Sequence, residues 1–153
     1  EELEVASLFE VREKLKNARL LITSDTSVAH LSAETRTPCL VLSLGSSDPT
    51  KTAPWMLGAW ILTTKTDCGP CPHSSPCSQS THVCGEKLKL SAVLSVIHGI
   101  ESDRKNFGLL QPAQLFRTEY DIHHIMKIAP YLSHSKIGEL YDEGKSGAVS
   151  AGA

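Results

Sequence analysis

The sequence is short of several features that would assign it quickly. Its formal net charge is −2, from 15 Lys and Arg against 17 Asp and Glu. It therefore has no basic footprint, and nucleic-acid binding has no electrostatic support. No apolar run reaches the roughly 18 residues that a membrane-spanning helix needs. The first residues, Glu1-Glu2-Leu3-Glu4, are acidic and contain no hydrophobic signal core. An initiator Met is also lacking, so the chain is expected to be a segment of a longer one. There is no internal repeat. The five cysteines are an odd number without a secretory signal, which argues against a secreted, disulfide-stapled fold. A reducing, cytoplasmic setting is expected, at most peripheral at the inner membrane face.

What is present is ordinary for a globular domain: 41% apolar and 21% charged residues in a chain of 153. That length supports one domain with a real core and a small appendage. Residues 7–18 read as an amphipathic helix. Ser7 and Glu10 have capping-box spacing, and Leu8, Val11 and Leu15 fall on one face. Leu20-Leu21-Ile22-Thr23 then suits a short strand buried on both faces of a parallel sheet. A helical pattern runs from Ser27 to Arg36 and is broken by Thr37-Pro38. Cys39 to Leu44 reads as a second buried strand closed by Gly45, and Trp60 to Thr63 as a weaker third. A helix over 91–100 is expected to turn Val93, Leu94 and Ile97 inward. Strand, helix, strand, loop and strand in this order spell an α/β fold, a Rossmann-like parallel sheet with flanking helices.

Beyond Glu101 the character changes. Residues 101–108 read as a polar linker, and Gln111-Pro112 as the start of a helix with Pro in its first turn. That helix would hold Leu115, Phe116, Ile122, Ile125 and Met126 and end near Pro130, with a short helix over 135–141 after it. The chain thus divides into a Rossmann-like unit over 1–100 with a Cys-rich loop over 67–84, a helical extension over 101–143 and a disordered tail over 144–153.

Chemistry is most concentrated in the turn Ser24-Asp25-Thr26, between the first strand and the helix beginning at Ser27. In open α/β sheets ligands bind beyond the carboxyl ends of strands, where loops lead into helices. Free N–H groups and the positive dipole end at such a helix start favour a phosphate. Thr26 and Ser27 would add hydroxyl donors, His30 lies one turn on, and Asp25 is better suited to capping or accepting a hydroxyl. The bland alternative is a well-capped helix with His30 as a half-buried packing residue.

Placed with its neighbours, this loop resembles a known pattern. Leu8 to Pro54 is similar to the donor-binding segment of glycosyltransferase family 9, the heptosyltransferases of lipopolysaccharide core assembly. Members carry an Asp-Thr-Gly-x-x-His-x-Ala loop, then a Pro, a strand ending in Gly, and a Thr/Ser-Asp-Pro turn. Here the corresponding residues are Asp25-Thr26-Ser27-Val28-Ala29-His30-Leu31-Ser32-Ala33, Pro38 and Gly45-Ser46-Ser47-Asp48-Pro49. The cysteine segment and the helix after it extend the likeness to about Ile100. Ser27 stands where the family usually has Gly, and Ser32 where Ala is commoner, which leaves the donor sugar open.

The resemblance implies the C-terminal half of a GT-B glycosyltransferase, two Rossmann-like halves with the active site between them. It implies inverting transfer of a heptose-like sugar, without a metal, from a nucleotide diphosphate sugar to a lipopolysaccharide-type acceptor. Asp25, Thr26, Ser27, Val28 and His30 would line an ADP-heptose-like donor. The general base and the lipid-linked acceptor site would belong to the N-terminal half, so this segment alone is expected to be inactive. The competing reading, from a different class, is a metal-binding or protein-interaction module on a Rossmann-like scaffold.

That alternative rests on Cys68, Cys71, Cys77 and Cys84, with spacing C-x2-C-x5-C-x6-C and His73 and His82 interleaved. Such a set can enclose a structural zinc or an iron–sulfur cluster, pair as disulfides, or stay as free thiols. Thioredoxin-like chemistry fits poorly, since no clear helix follows Cys71. Other residues read as ordinary structure. Adjacent His123 and His124 point to different helix faces, Trp55 and Trp60 suit core packing over sugar stacking, and Lys51 suits an exposed cation. Glu139, Asp142 and Glu143 read as a solvated face.

Overall fold

Local capping and hydrophobic blocks set the first half of the chain, as the computed structural model shows for residues 6–72, 74–103, 107, 110–120 and 126–131. Helix α1 spans Leu8–Leu15, and the capping box forms as spaced: Glu10 N–H donates to Ser7 Oγ (3.3 Å) and Ser7 N–H to Glu10 Oε2 (2.7 Å). It stops three residues earlier than expected, because Leu15 is the last apolar side chain it can bury. Strand β1 (Leu21–Ser24), helix α2 (Ser27–Thr35) and strand β2 (Cys39–Ser43) follow. Arg36 ends α2 in the left-handed region, and Pro38 prevents its continuation. The short helix α3 (Pro49–Thr52) and strand β3 (Trp60–Thr64) complete the parallel part.

β1, β2 and β3 pair in parallel, with Leu21 opposite Cys39 and Leu40 opposite Trp60. Burial on both faces holds for the inner strands, where Leu40, Val41, Ile61 and Leu62 are all buried. Each such side chain contributes about 1.5–3 kcal/mol of transfer free energy. The same expectation fails at β1. That strand is the edge of the described sheet, and Ile22 is 45% exposed beyond the reach of the helix covering β2 to β4.

Two cores flank the sheet. On one face, Ala29 of α2 packs with Cys39, Val41 and Ile61, and α1 lies beside α2. On the other lies the long helix α5 (Leu90–Glu101), reached through the short helix α4 (Val83–Lys87). Ala92, Val96 and Gly99 form its buried stripe, against Leu40, Leu62 and Leu115. Leu94, expected to face inward, is 54% exposed because it lies roughly opposite that stripe at about 100° per residue. Gly99 permits the close approach: a Cβ there would stand 2.3 Å from the Phe107 ring. Phe107, Trp60 and Tyr131 pack edge to face, with centroids 4.8–5.3 Å apart.

The expected helix after Pro112 is not formed. Residues 113–120 are strand β4 and residues 126–130 are strand β5, both antiparallel, giving the sheet order β1-β2-β3-β4-β5. Ala113 and Leu115 face one core while Phe116 faces the other, an alternation of period two. The free edge of β3 supplies the ladder that decides between helix and strand. Thr118 locks the junction: its buried hydroxyl accepts Ala59 N–H (2.8 Å) and donates to the Met56 carbonyl. The expectations for Ile122, His123, His124, Ile125, the 135–141 helix, Glu139, Asp142, Glu143 and the 144–153 tail fall outside the described residues.

Candidate functional site

The loops at the carboxyl ends of β1, β2 and β3 gather at one end of the sheet, where α/β folds bind ligands. From β1 the chain passes through Asp25 to Thr26, the N-cap of α2. Thr26 has an extended backbone (φ −144°, ψ 172°) and makes no side-chain cap bond. The first N–H groups of a helix have no partners within it, so this end of α2 keeps donor capacity. Thr26, Ser27 and His30 are exposed, and Val28 is partly buried. His30 is therefore not the half-buried packing residue of the bland reading.

Asp25 does not cap the helix. Its Oδ2 accepts a hydrogen bond from Ser47 Oγ (2.7 Å), across 22 residues of sequence. Ser47 Oγ also lies 2.6 Å from Ser43 Oγ and 3.4 Å from Thr52 Oγ1. Having given its one hydrogen to Asp25, Ser47 must accept the hydrogen of Ser43. Thr52 donates instead to the Asp48 carbonyl (2.9 Å). One hydroxyl thus ties the β1 loop to the end of β2. Thr23 Oγ1 and Thr26 Oγ1, 3.3 Å apart, brace the same turn.

Beside this bridge lies a cavity of about 420 Å³, its walls formed by Ser47, Asp48, Thr63, Thr66, Gln114 and Phe116 among others. Asp48 caps α3: Oδ1 accepts Thr50 N–H (3.1 Å) and the Thr50 hydroxyl (2.7 Å), and Oδ2 pairs with Lys51 (3.2 Å). The Thr50 hydroxyl, then Lys51, hold its carboxyl below the usual carboxylate range. Lys51 is exposed as expected, while Trp55, expected in the core, is 72% exposed. Asp25, Thr26, Ser27, Val28 and His30 do not themselves line this cavity; Asp25 reaches its wall through Ser47. Thr63, Thr66, Gln114 and Phe116 are not among the residues expected at a site, and Ser47 enters the sequence reading only as part of the turn Gly45 to Pro49. The run of hydroxyls from Ser43 to Thr52 was a visible signal, whereas Gln114 and Phe116 were hidden by the helix assignment.

The four clustered cysteines come together. Cys68, Cys71, Cys77 and Cys84 line one cavity of about 190 Å³ with His82, and all are free. Partial burial, then the nearby thiols of Cys77, Cys68 and Cys84, push the Cys71 thiol up. The fifth, Cys39, is buried in β2, and that burial pushes its thiol up. Cys71 N–H donates to the Gly45 carbonyl (2.9 Å), which joins this segment to the β2 loop. His82 is exposed and precedes α4, and no helix follows Cys71 directly.

Comparison with known proteins bears on the site. Residues 5–83, slightly more than half of the chain, match the family model described as glycosyltransferase family 9 (heptosyltransferase). No curated protein and no solved structure matches the chain.

Proposed function

The chain belongs to glycosyltransferase family 9, and from that premise we propose that it is the donor-binding part of an inverting enzyme that uses a nucleotide diphosphate sugar. The observation that carries this reading is the Asp25–Ser47 bridge. It ties the loop that leads into α2 to Ser47 in the wall of the 420 Å³ cavity, while the start of α2 has no side-chain cap. In this reading the diphosphate rests at the start of α2. Backbone N–H groups near Ser27 and Val28 and the hydroxyls of Thr26 and Ser27 donate to its oxygens. The nucleoside extends into the cavity, whose hydroxyl-rich wall and Phe116 suit a ribose and a base.

Transfer proceeds by one displacement at the anomeric carbon. The acceptor oxygen bonds to that carbon as the bond to the diphosphate breaks, inverting the centre. Negative charge then grows on the leaving diphosphate, and fixed donors at the start of α2 stabilise it. In this reading His30, exposed one turn along, donates a hydrogen bond to the departing group. The general base and the saccharide acceptor, lipopolysaccharide-like and lipid-linked, lie in a second half of the enzyme. This part by itself binds donor weakly and turns over nothing. Among the described residues no helix is long and apolar enough to cross a membrane. Ser27 places a Cβ and a hydroxyl where the family usually has Gly, which bears on which sugar is accepted.

Titration of the full chain with ADP, UDP and GDP, followed by amide NMR, tests the reading. Shifts centred on Asp25 to His30 and on Ser47 are expected, weakened by Asp25→Ala and His30→Ala without loss of fold. Absence of perturbation at millimolar concentrations of all three nucleotides would overturn it.

A further inference from the structure

The cysteine segment has little of its own to hold it in shape. Between Cys71 and Cys84 the described side chains are mostly exposed, and none belongs to either hydrophobic core. Its internal backbone bonds are few, among them Ser75 N–H to the Pro72 carbonyl (3.3 Å) and Val83 N–H to the Thr81 carbonyl (3.0 Å). Its ends, however, are fastened. Cys71 is tied by its N–H to Gly45, and Cys84 accepts the Thr64 hydroxyl at its carbonyl (2.8 Å). Four thiols from such a segment nevertheless line a single cavity.

We infer that Cys68, Cys71, Cys77 and Cys84 bind one zinc-type divalent ion, tetrahedrally and as thiolates, and that this ion fixes the segment. The Cys68-x-x-Cys71 spacing supplies the tight knuckle of such sites, and Cys77 and Cys84 supply the second pair. Among the described residues no group of three or more His, Cys, Asp or Glu side chains already stands in ligating geometry. The reason is visible in the thiols' present partners. Cys68 Sγ donates to Thr66 Oγ1 (3.6 Å), Cys71 Sγ to the Cys68 carbonyl (3.6 Å), and Cys77 Sγ to the Thr81 carbonyl (4.0 Å). Each protonated sulfur is turned toward a nearby oxygen. Loss of the proton removes those bonds and frees the sulfurs to swing toward the shared cavity, where Zn–S distances are about 2.3 Å. Binding therefore exchanges the thiol protons for the ion and releases them to solvent, with no change of oxidation state.

The position gives the ion a consequence. Gly45 borders both cavities, and Gly69 and Pro70 of the cysteine segment line the larger one. Fixing the segment fixes one wall of the proposed nucleotide cavity; this consequence rests on the donor-site reading, whereas metal content does not.

The experiment is metal analysis of the full chain, purified under reducing conditions without chelator. About one equivalent of zinc is expected, released by a mercurial reagent in step with the clustered thiols. Cobalt in its place should give the thiolate-to-metal charge-transfer and visible bands of a tetrahedral site. Cys68→Ser and Cys77→Ser should each lower retention at least about tenfold, and Cys39→Ala should leave it unchanged. The mercurial and cobalt measurements use the unaltered chain, so they stand even if a variant fails to fold. Less than about a tenth of an equivalent together with no cobalt charge transfer would overturn the inference. So would a mass lower by two hydrogens per bridge, or iron accompanied by acid-labile sulfide.

Discussion

Ser47→Ala probes the bridge on which the site reading depends. The substitution removes the donor to Asp25 and the acceptor of the Ser43 hydroxyl in one step. A hydrogen bond to a charged group contributes about 1.5–3 kcal/mol, and the lower end applies because water can reach the half-buried Asp25. Ser43 is only 1% exposed, and a buried hydroxyl left without a partner costs about 1–3 kcal/mol, less whatever local rearrangement recovers. The two effects share one atom and overlap, so a net loss of about 2 kcal/mol is expected. For a chain of this size that lowers the thermal midpoint by about 4–8 °C. Ser46→Ala, next to it but outside the bridge, should change the midpoint by less than about 0.5 kcal/mol equivalent. Calorimetry of the two variants, with amide shifts at Asp25 and Thr26 as the local readout, separates them. Equal midpoints for Ser47→Ala and the unaltered chain, with unmoved Asp25 and Thr26 amides, would refute the bridge.

Two other tests address the fold. Thr118→Val keeps the shape of a buried side chain but leaves the Ala59 N–H without its acceptor. A loss of about 1–3 kcal/mol in urea unfolding is expected, and a neutral result would place residue 118 outside the ladder. The second concerns pH. The Ser7 backbone and then side-chain hydrogen bonds hold Glu10 below its ordinary value of 4.5. A lowered carboxyl stabilises the folded state above the unfolded value and loses that contribution as pH falls through the folded one. The α1 cap should therefore persist at pH 5 and weaken only below 4.5. An NMR titration of Glu10 with its midpoint at or above 4.5 would contradict the capping box.

The parallel half of the fold was legible because its signals are local and redundant. Leu20 to Thr23, Cys39 to Leu44 and Trp60 to Thr63 are short apolar blocks, each bounded by a turn residue or a breaker. Ser7 with Glu10 and Thr37 with Pro38 mark helix ends within one turn of the residues they act on. The antiparallel half gave no such agreement. Ala-Gln-Leu-Phe-Arg-Thr-Glu-Tyr places apolar residues both two and three apart, so its periodicity suits strand or helix. The free edge of β3, more than 40 residues earlier, settles the matter by offering a hydrogen-bond ladder. The two tryptophans make the same point. Trp60 is in a strand with neighbours on both sides and is buried, while Trp55 follows α3 and is exposed.

At the site the division falls between what a residue is and whom it meets. Asp25 next to a helix start reads as a cap, because sequence shows only the N–H groups nearby. In the fold its carboxylate turns away to Ser47, and Thr26 takes the cap position without a side-chain bond. That exchange changes the chemistry of the loop. A carboxylate on the first turn of α2 would occupy its donors and repel a phosphate, whereas one held by Ser47 leaves them free. In the proposed donor site the acidic residue thus serves anion binding by being held elsewhere. Only the meeting of two loops at the ends of parallel strands makes that arrangement visible.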